Sequence, residues 1–184
     1  MLDQEASVKA LTFSRFGGPE VLEFLEVPDP AGTPGQCLVA LKAVGLNFAD
    51  IYRRQGHYHL AGSPPWIAGY EGAGEVLSAP EGCGLRPGDR VAFADSPFAN
   101  AEIAAVDLDR LIPLPADIPF ATAAALLLQG LTAQYLVRAA ELFARVREGS
   151  LQVRIAAQYA LADGAAAHRF LEGRRAIGKV LLLP

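Results

Sequence analysis

The stretch Gly69-Tyr70-Glu71-Gly72-Ala73-Gly74-Glu75-Val76, followed after a short turn by Arg86-Pro87-Gly88-Asp89-Arg90-Val91, limits the fold more than any other part of this chain. Three glycines at 69, 72 and 74 in an otherwise strand-like run permit close backbone approach and positive φ, and Pro87-Gly88 has the residues of a type II turn at its centre. Strands so spaced, joined by Gly, Pro and Asp turns, point to a mainly β domain of the barrel or sandwich kind.

The rest of the chain is consistent with this. Val8 to Arg15 and Val21 to Val27 alternate on either side of Gly17-Gly18-Pro19 and read as a hairpin, with Leu11 and Phe13 on one face and Thr12 and Ser14 on the other. Gln36 to Val44 is a third strand. Asn47 then caps a short helix to about Arg54, with Asp50 and Arg54 four apart on one face and Gly56 ending the turn. Glu71 to Leu77, Arg90 to Ala94 and Ala99 to Val106 are further strands, and Leu111 to Pro115 is an extended connector. Pro119 opens a helix over Ala121 to Leu128 that stops near Gly130. Leu131, Tyr135, Leu142 and Val146 recur in helical phase and predict one uninterrupted helix about 27 Å long. After Gly149, Leu151 to Ile155 alternates as a strand, Asp163 caps a helix to about Glu172, and Gly178 to Leu183 is a final strand.

Composition and charge narrow the function. A net charge of −4 and a pI near 5.4 give no nucleic-acid or anionic-membrane footprint, and the longest apolar stretch, Ala123 to Leu128, is too short to span a bilayer. The amino terminus has no basic region, so a cytoplasmic location is expected. Cys37 and Cys83 are far apart in sequence and form no CxxC, as expected of reduced thiols. Nucleophilic catalysis has no signature, since no G-x-S-x-G occurs. A dinucleotide fingerprint is missing too: Gly72-Ala73-Gly74 is followed at the sixth position by Leu77, and Gly82-Cys83-Gly84 by Pro87. His57 and His59 are read as loop histidines and His168 as a structural or surface residue. Arg53 is equally compatible with a solvated helix face and with attraction of an anionic ligand.

Phe16-Gly17-Gly18-Pro19-Glu20-Val21-Leu22, Gly45-Leu46-Asn47-Phe48-Ala49-Asp50, Gly69-Tyr70-Glu71-Gly72-Ala73-Gly74, Pro87-Gly88-Asp89-Arg90-Val91 and Gly130-Leu131-Thr132 together resemble the zeta-crystallin-like quinone oxidoreductase branch of the zinc-free medium-chain dehydrogenase/reductase superfamily. The tail, with Leu161-Ala162-Asp163, Ala167-His168 and Gly178 to Pro184, looks like that family's carboxyl terminus. The resemblance implies a single GroES-like, partly open β-barrel with peripheral helices over 1–184, in which 1–138 is joined to 139–184 where the family carries an inserted Rossmann domain. The proposed long helix would then fuse two helices that the family keeps apart.

Zinc-dependent relatives place a cysteine at Asn47 and a histidine at Tyr70, so those positions cannot assemble a tetrahedral site here. The chemistry implied is hydride transfer from NADPH to a quinone or enone, with Asn47 and Tyr52 as catalytic residues and Asn47, Tyr52, Gln129 and Thr132 at the nicotinamide end. Asn47 can equally serve only as a cap, Tyr52 pack beneath the loop, and Thr132 begin a helix. Asp50 and Glu71 are read as structural carboxylates paired with Arg53, Arg54 or Arg90. Without the nucleotide-binding insert, tight cofactor binding is not expected. The competing reading is a non-enzymatic scaffold that binds a protein partner or itself through the surface the insert would cover.

Overall fold

The computed structural model describes residues 7–133, 139–174 and 176–184. β1 (Ser7–Phe13) and β2 (Glu23–Pro28) form the expected antiparallel hairpin, in register from Ser7 opposite Pro28 to Thr12 opposite Glu23. The chain returns in β4 (Trp66–Ile67) to pair with the other edge of β1, giving a small sheet of order β2-β1-β4. Thr12, read as facing away from the interior, is buried as well, and its hydroxyl donates to Glu23 O at 3.2 Å.

The larger sheet is built on β3 (Gln36–Leu46), the longest strand described. One edge of β3 pairs with β5 (Glu71–Ser78). The other is shared, its first half by β7 (Ile103–Asp107) and its last residues by β10 (Lys179–Leu183). β6 (Arg90–Ala94) and β8 (Ile112–Pro113) extend the sheet beyond β5, and β9 (Ile155–Ala160) lies parallel to β10. A bridge between Ala10 and Ala101 links the two sheets, with Leu11 N–H donating to Asn100 O at 2.8 Å. The strands do not close on themselves, so the arrangement is a partly open one, mainly β with peripheral helices.

A bulge explains how one strand serves two cores. Leu41 and Ala43 would share a face in regular pleating, but the register shifts between them. Leu41, Val44 and Leu46 therefore pack between the sheets, while Ala43 turns to the opposite layer. β10 divides in the same way, Val180 and Leu182 facing one core and Leu181 the other. That second core lies under α2 (Phe120–Ala124), α3 (Leu127–Ala133) and α4 (Ala139–Arg147). Gly74 is required for the close approach of β3, because a Cβ there would stand 2.0 Å from Ala40 O. Gly88 has φ +89°, as the predicted type II turn demands.

Two expectations are corrected. The helix read over Ala121 to Leu128 is two helices broken at Ala125 and Leu126, and the second continues past Gly130 to Ala133. The cause is tertiary, a buried carboxylate that takes the Leu128 amide. The strand read at Leu151 to Ile155 instead begins at Ile155, because Leu151 and Val153 pack against the helical layer and the ladder to β10 opens at Arg154, whose carbonyl accepts Lys179 N–H at 2.8 Å. Part of the single helix predicted from Leu131 to Val146 lies outside the described residues, which give α3 and α4 on either side of 134–138.

Replacing Gly74 by valine should prevent β3 and β5 from pairing and lower stability by at least about 2 kcal/mol in urea titration, as expected for overpacking against backbone. Leu182→Ala, which only empties core volume, should cost about 2–5 kcal/mol.

Candidate functional site

Asn47 closes β3 and opens α1 (Phe48–Arg54) in extended conformation, φ −123° and ψ 156°. Its backbone N–H donates to Asp50 Oδ2 at 2.8 Å, and Asp50 N–H donates to Asn47 O at 3.0 Å, so Asn47 holds the predicted N-cap position and Asp50 reaches back to it, but the Asn47 side chain is engaged elsewhere. The side chain of Asn47 points into the fold. Its Nδ2 donates to Glu71 Oε2 at 3.0 Å and more distantly to Gly45 O at 3.4 Å, and its Oδ1 accepts from Lys179 Nζ at 2.6 Å. An ammonium only donates and a carboxylate only accepts, so the two together dictate which way the amide faces.

Lys179 Nζ is the hub of the cluster. Besides Asn47 it donates to Glu71 Oε2 at 2.6 Å and to Gln129 Oε1 at 3.4 Å, which occupies all three of its protons. Both members of this ion pair are buried, the side chains 2% and 0% exposed. Glu71 Oε1 accepts the backbone N–H of Leu128 at 2.7 Å, supplying a free helix-terminal donor of α3 with a carboxylate. Gly45 makes room for this: a Cβ there would stand 2.3 Å from Ala124 O and 2.4 Å from Glu71 Oε2.

Next to this cluster Asp50, also buried, accepts from Arg53 Nη1 at 3.3 Å. Burial pushes the Asp50 carboxyl up to about 6, against the opposing pull of the Asn47 amide, Arg53 and Lys179 and with a further push from Glu71. Arg53 is only 4% exposed, which corrects the solvated-face reading. Its guanidinium lies 3.4 Å from the ring centroid of Tyr70 and 5.0 Å from that of Tyr58. Arg54, four residues on from Asp50 in α1 as predicted, does not pair with it. It turns toward α5 (Gly164–Glu172), donating from Nε to His168 Nδ1 at 3.3 Å and binding Glu172 and Gly17 O. His168 is fully buried, and burial together with the Arg54 charge pushes it down to about 3. Arg90 pairs with neither carboxylate: it caps Pro115 O and Ile118 O at 2.5 and 2.6 Å and covers the Phe120 ring.

The four residues proposed from sequence fall in three places. Asn47 and Gln129 meet at Lys179, where Gln129 is further tied by Nε2 donating to Ala125 O at 2.5 Å. Tyr52, 46% exposed, lines a shallow cavity of about 270 Å³ with Phe48, Gln55, Glu172 and Arg174. Thr132 is exposed, donates to Leu128 O at 2.6 Å, and lines a cleft of about 530 Å³ with Leu128, Leu131, Asp95 and Arg110. Lys179 escaped the sequence reading. Its signal was a lone charge at the head of Val180-Leu181-Leu182-Leu183, where a buried strand leaves an ammonium no water. Among the described residues no group of three or more His, Cys, Asp or Glu is placed to hold a metal ion.

Lys179→Met should cost about 3–5 kcal/mol in urea unfolding, because Glu71 is left charged, buried and unpaired; Lys179→Met with Glu71→Gln should recover part of that loss. Acid titration should separate His168 from Asp50. His168 protonates near 6.5 when unfolded and near 3 when folded, so it removes stability as pH falls from 6.5. Asp50 is raised from 3.8 to about 6, so its contribution is full below 3.8 and is lost as pH rises through 6. The slopes oppose each other; in His168→Asn the urea midpoint should therefore fall as pH rises from 4 to 6, where wild type changes less.

Residues 33–148 match the family described as the alcohol dehydrogenase GroES-like domain. The chain is 42% identical over 132 residues to a quinone oxidoreductase of Pseudomonas aeruginosa, covering 71% of this chain and 40% of that protein, and 38% identical over 130 residues to quinone oxidoreductase 1 of Escherichia coli, covering 70% and 39%. It thus spans about 40% of the length of these relatives. A crystal structure of Escherichia coli quinone oxidoreductase complexed with NADPH superposes with a TM-score of 0.64 at 33% identity, covering 83% of this chain and 44% of that one. A mycobacterial quinone oxidoreductase shares the fold at a TM-score of 0.89 and 20% identity, covering 97% of this chain and 100% of that one. A strand-ordered glycine framework, Asn47 at the start of α1 and Glu71 buried beneath α3 thus come with matching sequence: the chain belongs to the alcohol dehydrogenase GroES-like domain family, and over its matched part it is similar to quinone oxidoreductases.

Proposed function

We propose that this chain is the substrate-side, catalytic domain of an NADPH-dependent quinone reductase-like oxidoreductase, acting on a quinone or enone, with little or no turnover alone because the domain that would hold the nucleotide between 1–138 and 139–184 is missing. The observation that carries the reading is the Asn47–Lys179–Glu71–Gln129 cluster at the start of α3, three of whose members lie within the matched residues 33–148.

The residues present suit one end of the cofactor only. Tyr52 and Thr132 offer exposed hydroxyls, and Thr132 Oγ1, with its proton on Leu128 O, is left to accept. A pyrophosphate needs backbone amides at a helix start after a glycine turn, whereas Gly72 and Gly74 lie inside β5, where Gly74 is pressed against Ala40 O. When bound, the nicotinamide would supply a hydride. The chain's share is orientation and polarity: Lys179 and Glu71 hold the Asn47 amide in one orientation, Gln129 joins that cluster to a cleft beside Gly178, and Tyr52 is left free to donate to a substrate oxygen. Exposed Phe48, Tyr52 and Ile177, at 44%, 46% and 69%, support self-association or partner binding as a second reading.

Fluorescence titration with NADPH should give millimolar or weaker affinity, above about −4 kcal/mol. Placing a family nucleotide-binding domain between Arg138 and Ala139 should restore both binding and quinone reduction. Saturation of the unmodified chain at low micromolar NADPH would refute the reading. Failure of the insertion variant to reduce quinones while binding NADPH would favour the non-enzymatic module.

A further inference from the structure

Of the side chains lining the cleft of about 530 Å³, only Thr132 enters the reading above. One wall of this cleft is a single face of α3, where Leu128, Leu131 and Thr132 stand three and four residues apart. The other is the end of the large sheet: Ala94 closes β6 and Ile112, opposite Ala92 in register, opens β8. Both walls are pinned by the same carboxylate. Glu71 takes the Leu128 N–H at 2.7 Å on one side and is paired with Ala94 in the β5–β6 register on the other. Leu128, Leu131 and Ile112 are only half-buried, so the cleft offers a ligand an apolar floor. Its charges are unbalanced. Asp95 follows β6 in the left-handed backbone conformation, φ +57°, which Asp tolerates better than most residues, and its Oδ2 accepts from Arg110 Nη1 at 3.1 Å. That pair spends the guanidinium charge. Asp109, the residue before Arg110, lines the same cleft, is exposed, and makes no ion pair among the described residues. The described lining therefore carries one carboxylate more than it has cations. Thr132 adds to the asymmetry: with its proton on Leu128 O at 2.6 Å, its oxygen can only accept.

We propose that this cleft binds a small amphipathic cation, a primary ammonium on an apolar body. The body covers Leu128, Leu131 and Ile112, and the ammonium donates to Asp109, with the oxygens of Thr132 and Asp95 as further acceptors. The chemistry selects this class over others. A carboxylate or phosphate would meet surplus negative charge, and a quinone, which only accepts hydrogen bonds, would leave Asp109 and Thr132 without a donor. An ammonium supplies three donors and the missing charge. A bare metal ion would leave the two leucines and Ile112 facing water, whereas an aromatic or aliphatic body removes that surface from it. The volume is in the range of small-molecule sites. Nothing in the inference requires a nucleotide or hydride transfer.

The test is titration of the unmodified, isotope-labelled chain, followed by its amide NMR signals, with phenethylamine at neutral pH, where the amine is protonated. Phenethyl alcohol and hydrocinnamate, which keep the aromatic body and change the head, are titrated beside it. Saturable shifts are expected at Leu128, Leu131, Thr132 and Ile112. The alcohol should bind about three- to fivefold more weakly than the amine, as befits one exposed ion pair, and hydrocinnamate more weakly still. Added salt should narrow the gap between amine and alcohol. Asp109→Asn, an exposed substitution outside the core, should bring the amine down to the affinity of the alcohol, and Leu131→Trp, which fills the cleft, should abolish binding of both. Hydrocinnamate binding as tightly as the amine, an amine preference that survives Asp109→Asn, shifts that map to other residues, or no saturable shift with the amine would overturn the proposal. Quinone reduction by the variant carrying a nucleotide-binding domain is measured separately, so either reading can fail while the other stands.

Discussion

The fold depends on one buried carboxylate being satisfied from three directions. Glu71 enters on β5 and receives Lys179 from β10, the Asn47 amide from the β3–α1 corner and the Leu128 amide from α3. None of these elements is adjacent to another in sequence, so the cluster ties distant parts of the chain together in the folded state. Isolated, each charge would be costly in a core of this kind; joined, they define how the amino-terminal sheet, the carboxyl-terminal strand and the helical layer sit together. The same contacts that hold the structure also leave Asn47 a single amide orientation.

A second clamp works beside it. Arg54 reaches from α1 to His168 and Glu172 on α5 and to the hairpin turn at Gly17, so the short helix that Asn47 opens is held at both ends. Arg53, the neighbouring residue, goes the other way, onto Tyr70 and Asp50. Two consecutive arginines serve opposite sides of one helix turn because successive residues are about 100° apart around it. The Tyr70 ring carries the Arg53 guanidinium at 3.4 Å from its centroid.

How far the sequence could be read varied with the range of the interaction. The hairpin, β3, the Asn47 cap, β6, the helix after Asp163 and the last strand were legible because each rests on alternation, a turn or a cap within a few residues. The break at Ala125 and Leu126 was not, since the local composition favours an unbroken helix and the competing acceptor, Glu71, is 57 positions away. The start of β9 was misplaced for a related reason. Leu151, Val153 and Ile155 alternate well enough for a strand, but the first two are claimed by the helical layer. At the candidate site Asn47 and Gln129 could be named from a family resemblance, whereas Lys179, which joins them, could not.

The amino-acid sequence by itself determined the class of fold and the positions of most turns, because these follow from steric limits on neighbouring residues. Only the tertiary structure decided which charges meet. Arg53 could have paired with any nearby carboxylate, and Glu71 with any of several arginines. The choice was made by strand order, which carries β10 between β3 and β9 and so delivers an ammonium to the fully buried Glu71 carboxylate.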